Sequence, residues 1–262
     1  MIRQKLSLSL SKLSSYQIPM DELSQLNGQI HQLEEPVPLS VQAEYFKQSI
    51  ALRMTKDDKS LHSYVPEEAE RVLFDTEKPN SVRRMALSRL AISGRVEAFR
   101  VIEDFLEVAR GELRQWALMA KLECRVAMMS DLVDEKQIAV ASGLGGRDNL
   151  MRFMGLFHTA RLQEFLPFQV ELFFKELEYR MEQYGGQVES KEVGYNYINV
   201  SFLLPIQSPI KEIFTGLILE CNLYGNFLGD SFLVTNSQPI TLDVINETLA
   251  KYAREKNIDP IR

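Results

Sequence analysis

Long apolar runs are missing from this sequence. No stretch approaches the roughly 20 residues that a bilayer-crossing helix requires. Cysteine is nearly absent too: Cys124 and Cys221 are the only two, and both lie inside apolar helical patterns. That excludes a disulfide framework and predicts a reducing compartment. Met1 to Lys5 lead into a Leu-Ser alternation instead of a continuous apolar segment, so a secretory signal is not expected. A soluble cytoplasmic protein without membrane association is the resulting expectation.

Histidine is equally scarce. His31, His62 and His158 are far apart, without helical or Cys-x-x-Cys spacing, so no metal centre is expected. No serine stands in Gly-x-Ser-x-Gly, and no glycine loop ends in Gly-Lys-Ser or Gly-Lys-Thr. No catalytic residue and no cofactor are therefore assigned. Positive charge is in deficit overall: 30 lysines and arginines stand against 36 acidic residues, a net charge of −6. Broad nucleic-acid binding, which needs many phosphate-neutralising cations, is disfavoured. The deficit is uneven, because ten basic residues face six acidic ones between Lys78 and Arg125.

What is present is ample core material. Hydrophobic residues make up 45% of 262, enough for one large or two ordinary domains. Leu6, Leu8 and Leu10 alternate with serines, as in an extended arm or strand. Beyond Pro36 and Pro38, the residues Ala43, Phe46, Ile50 and Met54 predict one face of a helix over 41–54, closed by an exposed turn at Lys56 to Lys59. Pro66-Glu67-Glu68 is a helix opening, with proline in the first turn and acids near the positive end of the helix dipole. Three helices follow, over about 81–92, 96–109 and 112–126, punctuated by Gly94 and Gly111.

Val82-Arg83 and Ala86-Leu87 recur 31 residues later as Leu113-Arg114 and Ala117-Leu118. With Pro79, Leu90, Ala91, Gly94 and the pattern from Glu97-Ala98 to Leu106, the segment 79–126 resembles HEAT-type α-solenoid repeats. The resemblance implies helix pairs that bury their apolar faces by stacking. The second copy departs from it: the opening proline is lost, Lys121 stands at the place of Leu90, and Arg125 at that of Gly94. An unrelated helical bundle is the alternative.

After Asp131 the pattern changes. Gln137 to Ser142 reads as a strand, Gly143 to Asn149 as a turn, and Leu150 to His158 as a second strand, together a β-hairpin. A long helix carries Val170, Phe173, Phe174, Leu177, Met181 and Tyr184 and ends at Gly185-Gly186. A strong strand runs from Val193 to Leu204, and its alternation changes phase at Tyr197-Ile198. Ser208-Pro209 opens a helix with Ser208 as cap, Phe232 to Thr235 form a short strand, and a helix over 241–256 carries Leu242, Ile245, Leu249 and Tyr252. The fold class predicted is α+β: a helical bundle or short HEAT-like stack over 1–135, then a two-layer α/β sandwich over 136–262 in the order β-β-α-β-α-β-α. A ferredoxin-like arrangement is compatible with that order.

Two surfaces stand out. Arg83, Arg84, Arg89 and Arg114 could dock an acidic or amphipathic protein partner on the helical half. Gly143, Gly145, Gly146 and Arg147, with His158, could hold a small anionic ligand. The dull readings are solvated arginines, a plain hairpin turn aided by Asp148-Asn149, and a structural histidine. The leading expectation is a non-catalytic interaction or scaffold protein, with the α/β half as a second contact or homodimer interface. A small-ligand-binding regulatory protein or enzyme with its site in the α/β half is the alternative.

Overall fold

The computed structural model describes residues 29–54, 65–132 and 137–258. The Leu6 to Leu10 arm, the Lys56 to Lys59 turn and His62 lie outside the described residues. The fold is mixed α+β, and its described residues fall into two compact units, 29–145 and 146–258.

In the first unit, α1 (Leu39–Met54), α2 (Pro66–Phe74), α3 (Asn80–Ser93), α4 (Val96–Val108) and α5 (Gly111–Leu132) pack with β1 (Gln29–Gln32) and β2 (Gln137–Val140). β1 and β2 pair in parallel, Ile30 opposite Ile138. This is why the division falls ten residues later than the sequence patterning placed it: β2 pairs with β1 and makes no hairpin with the strand at 150–158. Trp116, Tyr45, Phe105, Leu87, Leu90 and Ile102 are fully buried at the centre. Gly94 stops α3 in the left-handed conformation that glycine adopts without penalty.

The α1 face differs from expectation. Ala43 and Met54 point to solvent, while Gln42, Tyr45, Phe46 and Ser49 are buried. The apolar count misleads because the interior of this unit contains hydrogen-bonding partners. Gln42 donates to the carbonyls of Val37 at 2.8 Å and Ser142 at 3.0 Å, and Ser49 donates to Glu123 at 2.6 Å.

The 31-residue repeat has a physical content. Arg83 near the start of α3 donates from Nε to the Leu73 carbonyl at the end of α2, at 2.8 Å. Arg114 near the start of α5 donates from Nη1 to the Leu106 carbonyl at the end of α4, at 2.6 Å. Each arginine satisfies a carbonyl that the preceding helix leaves unpaired. Ala86-Leu87 and Ala117-Leu118 are buried behind them.

The second unit holds β3 (Gly146–Arg147), β4 (Leu150–His158), α6 (Pro167–Gln183), β5 (Gln187–Val193), β6 (Tyr197–Pro205), α7 (Ile210–Asn222), β7 (Leu233–Thr235) and α8 (Leu242–Lys256). The hairpin is β3–β4, turning at Asp148-Asn149, with Asp148 at φ 55°. Its strands pair antiparallel in the order β7-β4-β6-β5, with β3 beside the start of β4. From β4 to β7 the element order is β-α-β-β-α-β, the split arrangement of ferredoxin-like sheets.

The run 193–204 is two strands, not one. The phase change marks the turn 194–196, and the register irregularity sits on β5, between Val188 and Ser190. One sheet face carries Phe153, Phe157, Val200 and Phe202 against Phe173 and Phe214 of α6 and α7. The other carries Leu156, packed with Ile240 and Ile245 beneath α8. Leu242 is exposed and outside that contact. α7 starts at Ile210 with Pro209 in the cap position and no side-chain cap bond, so Ser208 does not cap it.

Among the described residues, no helix is long and apolar enough to cross a membrane, and no group of three or more His, Cys, Asp or Glu could hold a metal ion.

Candidate functional site

Arg83, Arg84 and Arg114 are engaged within the chain. Arg84 pairs with Glu44 at 3.0 Å and Glu112 at 2.8 Å, and its guanidinium lies over the Trp116 ring. Arg114 grips Glu35 with two hydrogen bonds, at 2.6 and 3.0 Å. Arg83 lies over Phe105, and Arg125 pairs with Glu34 at 3.5 Å. Arg89 is exposed on α3. Glu34, Glu35 and Glu44 come from outside the basic section and face its cations. The local excess read from the linear sequence is therefore offset in space.

A buried carboxylate escaped the sequence reading. Glu123 on α5, 4% exposed, accepts hydrogen bonds from Tyr45 (2.6 Å), Ser49 (2.6 Å) and Arg53 (2.7 Å) on α1. Burial, then the neighbouring carboxylate, pushes the Tyr45 hydroxyl well above its ordinary pKa. A cavity of about 30 Å³, lined mainly by Phe46, Met119, Leu122 and Val126, lies beside it. That is room for about one water, so this cluster ties α1 to α5 instead of forming a substrate site. The spacing of Tyr45, Ser49 and Arg53 at i, i+4 and i+8 was the available signal, hidden because these residues are polar.

The residues proposed to share one ligand site do not meet. Arg147 pairs with Leu150 at the start of β4, and His158 ends the same strand. At about 3.3 Å per residue, the eight steps from Leu150 to His158 separate them by about 26 Å. Gly143, Gly145 and Gly146 are buried, and Arg147 donates to Gln187 at 2.6 Å. Gly145, at φ 70°, is pressed against the chain itself: a Cβ there would lie 2.7 Å from the carbonyl carbon of Glu35. Close backbone approach is what Gly145 provides, and the Glu34-Glu35 segment occupies it.

The C-terminal end of β4 is more populated. Three loops meet there. Thr159 N donates to Asn196 O (3.0 Å), Phe165 N to Tyr195 O (2.9 Å), Ala160 N to Phe227 O (2.8 Å) and Gly229 N to His158 O (2.8 Å). Asn222 locks the third loop from both sides, donating to Leu228 O at 3.0 Å and accepting from Leu228 N at 2.8 Å. Exposed large apolar side chains collect on this stitched end. Leu166 and Phe168 open α6, Val193 and Tyr195 flank the β5–β6 turn, and Leu219, Leu223 and Tyr224 close α7, the last two 75% and 65% exposed.

At the centre sits His158, 2% exposed. Its Nδ1 lies 3.1 Å from the Thr159 carbonyl, its Nε2 3.3 Å from Ser231 Oγ, and its ring 4.0 Å from that of Tyr252. Burial holds the imidazole below its ordinary pKa against opposing contributions from Thr159 and Asp230. Asp230 accepts from Lys256 at 2.6 Å, which with the nearby positive charge holds its carboxyl below the usual range. Gly229 has no side chain because the imidazole fills that space: a Cβ would lie 2.2 Å from Cε1.

Elsewhere both thiols are buried and pushed up to about 12, mainly by burial, which removes them as nucleophiles.

No protein-family model matches the chain, and no curated protein matches it. The HEAT resemblance of 79–126 thus rests on the quoted residues alone. Among solved structures, a candidate transposase from Deinococcus radiodurans R1 is similar at 16% identity, covering 41% of this chain and 94% of its own length, with a TM-score of 0.35. A likeness at that level carries no functional argument.

Proposed function

We propose that this is an interaction protein that recognises an amphipathic protein partner. One observation carries the reading: seven exposed large apolar side chains, three of them aromatic, gather at the stitched loop end of the α/β unit. Exposed apolar residues gathered around the loops at one end of a unit are characteristic of recognition surfaces, and aromatic anchors there dominate binding energy. Internal hydrogen bonding holds the loops before binding, so little ordering entropy opposes it. Arg83, Arg84, Arg89 and Arg114 remain a proposed second contact for acidic groups, weakened by the carboxylates that already face Arg84 and Arg114. The two separate buried thiols fit a reducing compartment, so the cytoplasm is the proposed location.

The test is co-purification from the native cell at low and moderate salt, comparing the wild-type chain with a Leu223→Ser/Tyr224→Ser variant. A partner retained at both salts by the wild type and lost from the variant is expected. Recovery of the wild-type chain alone under both conditions overturns the proposal.

A further inference from the structure

The same loop end contains a serine and a histidine in a chemically specific arrangement. A carbonyl oxygen can only accept, so the contact between His158 Nδ1 and Thr159 O places the proton on Nδ1. Nε2 then bears the lone pair, and Ser231 Oγ donates its proton to it across 3.3 Å. The imidazole is fixed by the Thr159 carbonyl, the Gly229 backbone and the Tyr252 ring. Ser231 itself is exposed, so a substrate can reach its oxygen. Asp230, its neighbour in sequence, is held by the Lys256 ammonium at 2.6 Å, which fixes the loop beside Ser231.

We infer that Ser231 and His158 form an activated-serine dyad that accepts an acyl group from a carboxylic ester. A nucleophile in contact with a base, the base itself oriented by a third group, is the arrangement covalent catalysis requires. In the step, Ser231 Oγ bonds to the ester carbonyl carbon and its proton passes to His158 Nε2. The carbon–oxygen bond to the leaving alcohol breaks, and that alcohol takes the proton from Nε2. Water then attacks the acyl-serine by the same proton path, releasing the carboxylic acid and restoring Ser231. An apolar acyl group is the class expected, because apolar residues surround this end of the unit. The inference does not rest on partner recognition, because labelling of Ser231 is read on the chain without a partner.

The test uses the full chain and an alkyl fluorophosphonate, whose phosphorus bonds to an activated serine oxygen as fluoride leaves with the serine proton. One adduct per chain at Ser231 is expected by mass spectrometry, forming about a hundredfold faster than at the exposed Ser81, as general-base assistance implies. It should be absent from Ser231→Ala. The pH profile tests the base without altering the buried imidazole. The labelling rate should be flat above neutral pH, where His158 is already uncharged, and should fall as acid protonates it. No adduct at Ser231, or a rate that rises about tenfold per pH unit above neutrality as for an unassisted hydroxyl, overturns the inference.

Discussion

Glu123 shows how much one residue can hold. Its carboxylate is shielded from water, and three donors from α1 compensate that cost. Glu123→Ala leaves Arg53, Tyr45 and Ser49 without their acceptor, and breaking a buried charged cluster costs about 3–5 kcal/mol. Tyr45→Phe removes only one hydrogen bond to a charged group, about 1.5–3 kcal/mol. Urea denaturation of the helical unit should rank the two in that order; an equal or reversed order would contradict the arrangement. His158 makes a pH-dependent contribution instead. Its folded pKa is lowered, so above about 6.5, the ordinary histidine value, neither state binds the proton and the group is neutral to stability. As pH falls through that value, the unfolded chain takes up the proton first and stability is lost until the folded pKa is reached. Asp230, Lys256 and Tyr252 face the same imidazole, and their own titrations lie outside this window. The depressed carboxyls of Asp230 and Glu189 stabilise above the ordinary carboxylate range and lose that contribution only as pH falls below it. A melting temperature that falls between neutrality and pH about 5 in the wild type, and falls less in His158→Gln, is the expected result.

Elements were legible where one face was apolar and the ends were marked. Gly94 and Pro66 fixed helix boundaries, and the stripe of Phe173, Leu177 and Met181 fixed α6. β5 was missed for a physical reason. It is an edge strand of sequence QVESKEV, almost wholly exposed, and its charges keep other strands from pairing with it while erasing the apolar alternation. β2 was seen as a strand but given the wrong partner, because parallel pairing with β1 joins residues more than a hundred positions apart. The candidate sites fared similarly. Of the residues read as one ligand site, His158 ends β4 while Gly146 and Arg147 lie beside its start. The arginine caps are testable at this scale. Arg83→Ala and Arg114→Ala should each cost about 1–2 kcal/mol, modest because both side chains are partly solvated, while the exposed Arg100→Ala should change stability by under about 0.5 kcal/mol. Equal small effects at all three positions would remove the structural meaning of the repeat.

For the whole molecule, net charge and local charge say different things. The chain carries −6, and its basic section is faced by acids from its own N-terminal side. Long-range attraction of an acidic partner is thereby reduced, which favours the apolar loop end over the arginines as the proposed contact. Hydrogen exchange on the captured complex separates the two surfaces most directly. Amides of 159–166, 193–197 and 222–231 should gain protection on binding, while α3 and α5 stay unchanged. Protection confined to α3 and α5, around Arg83, Arg84 and Arg114, would contradict recognition through the loop end of the α/β unit.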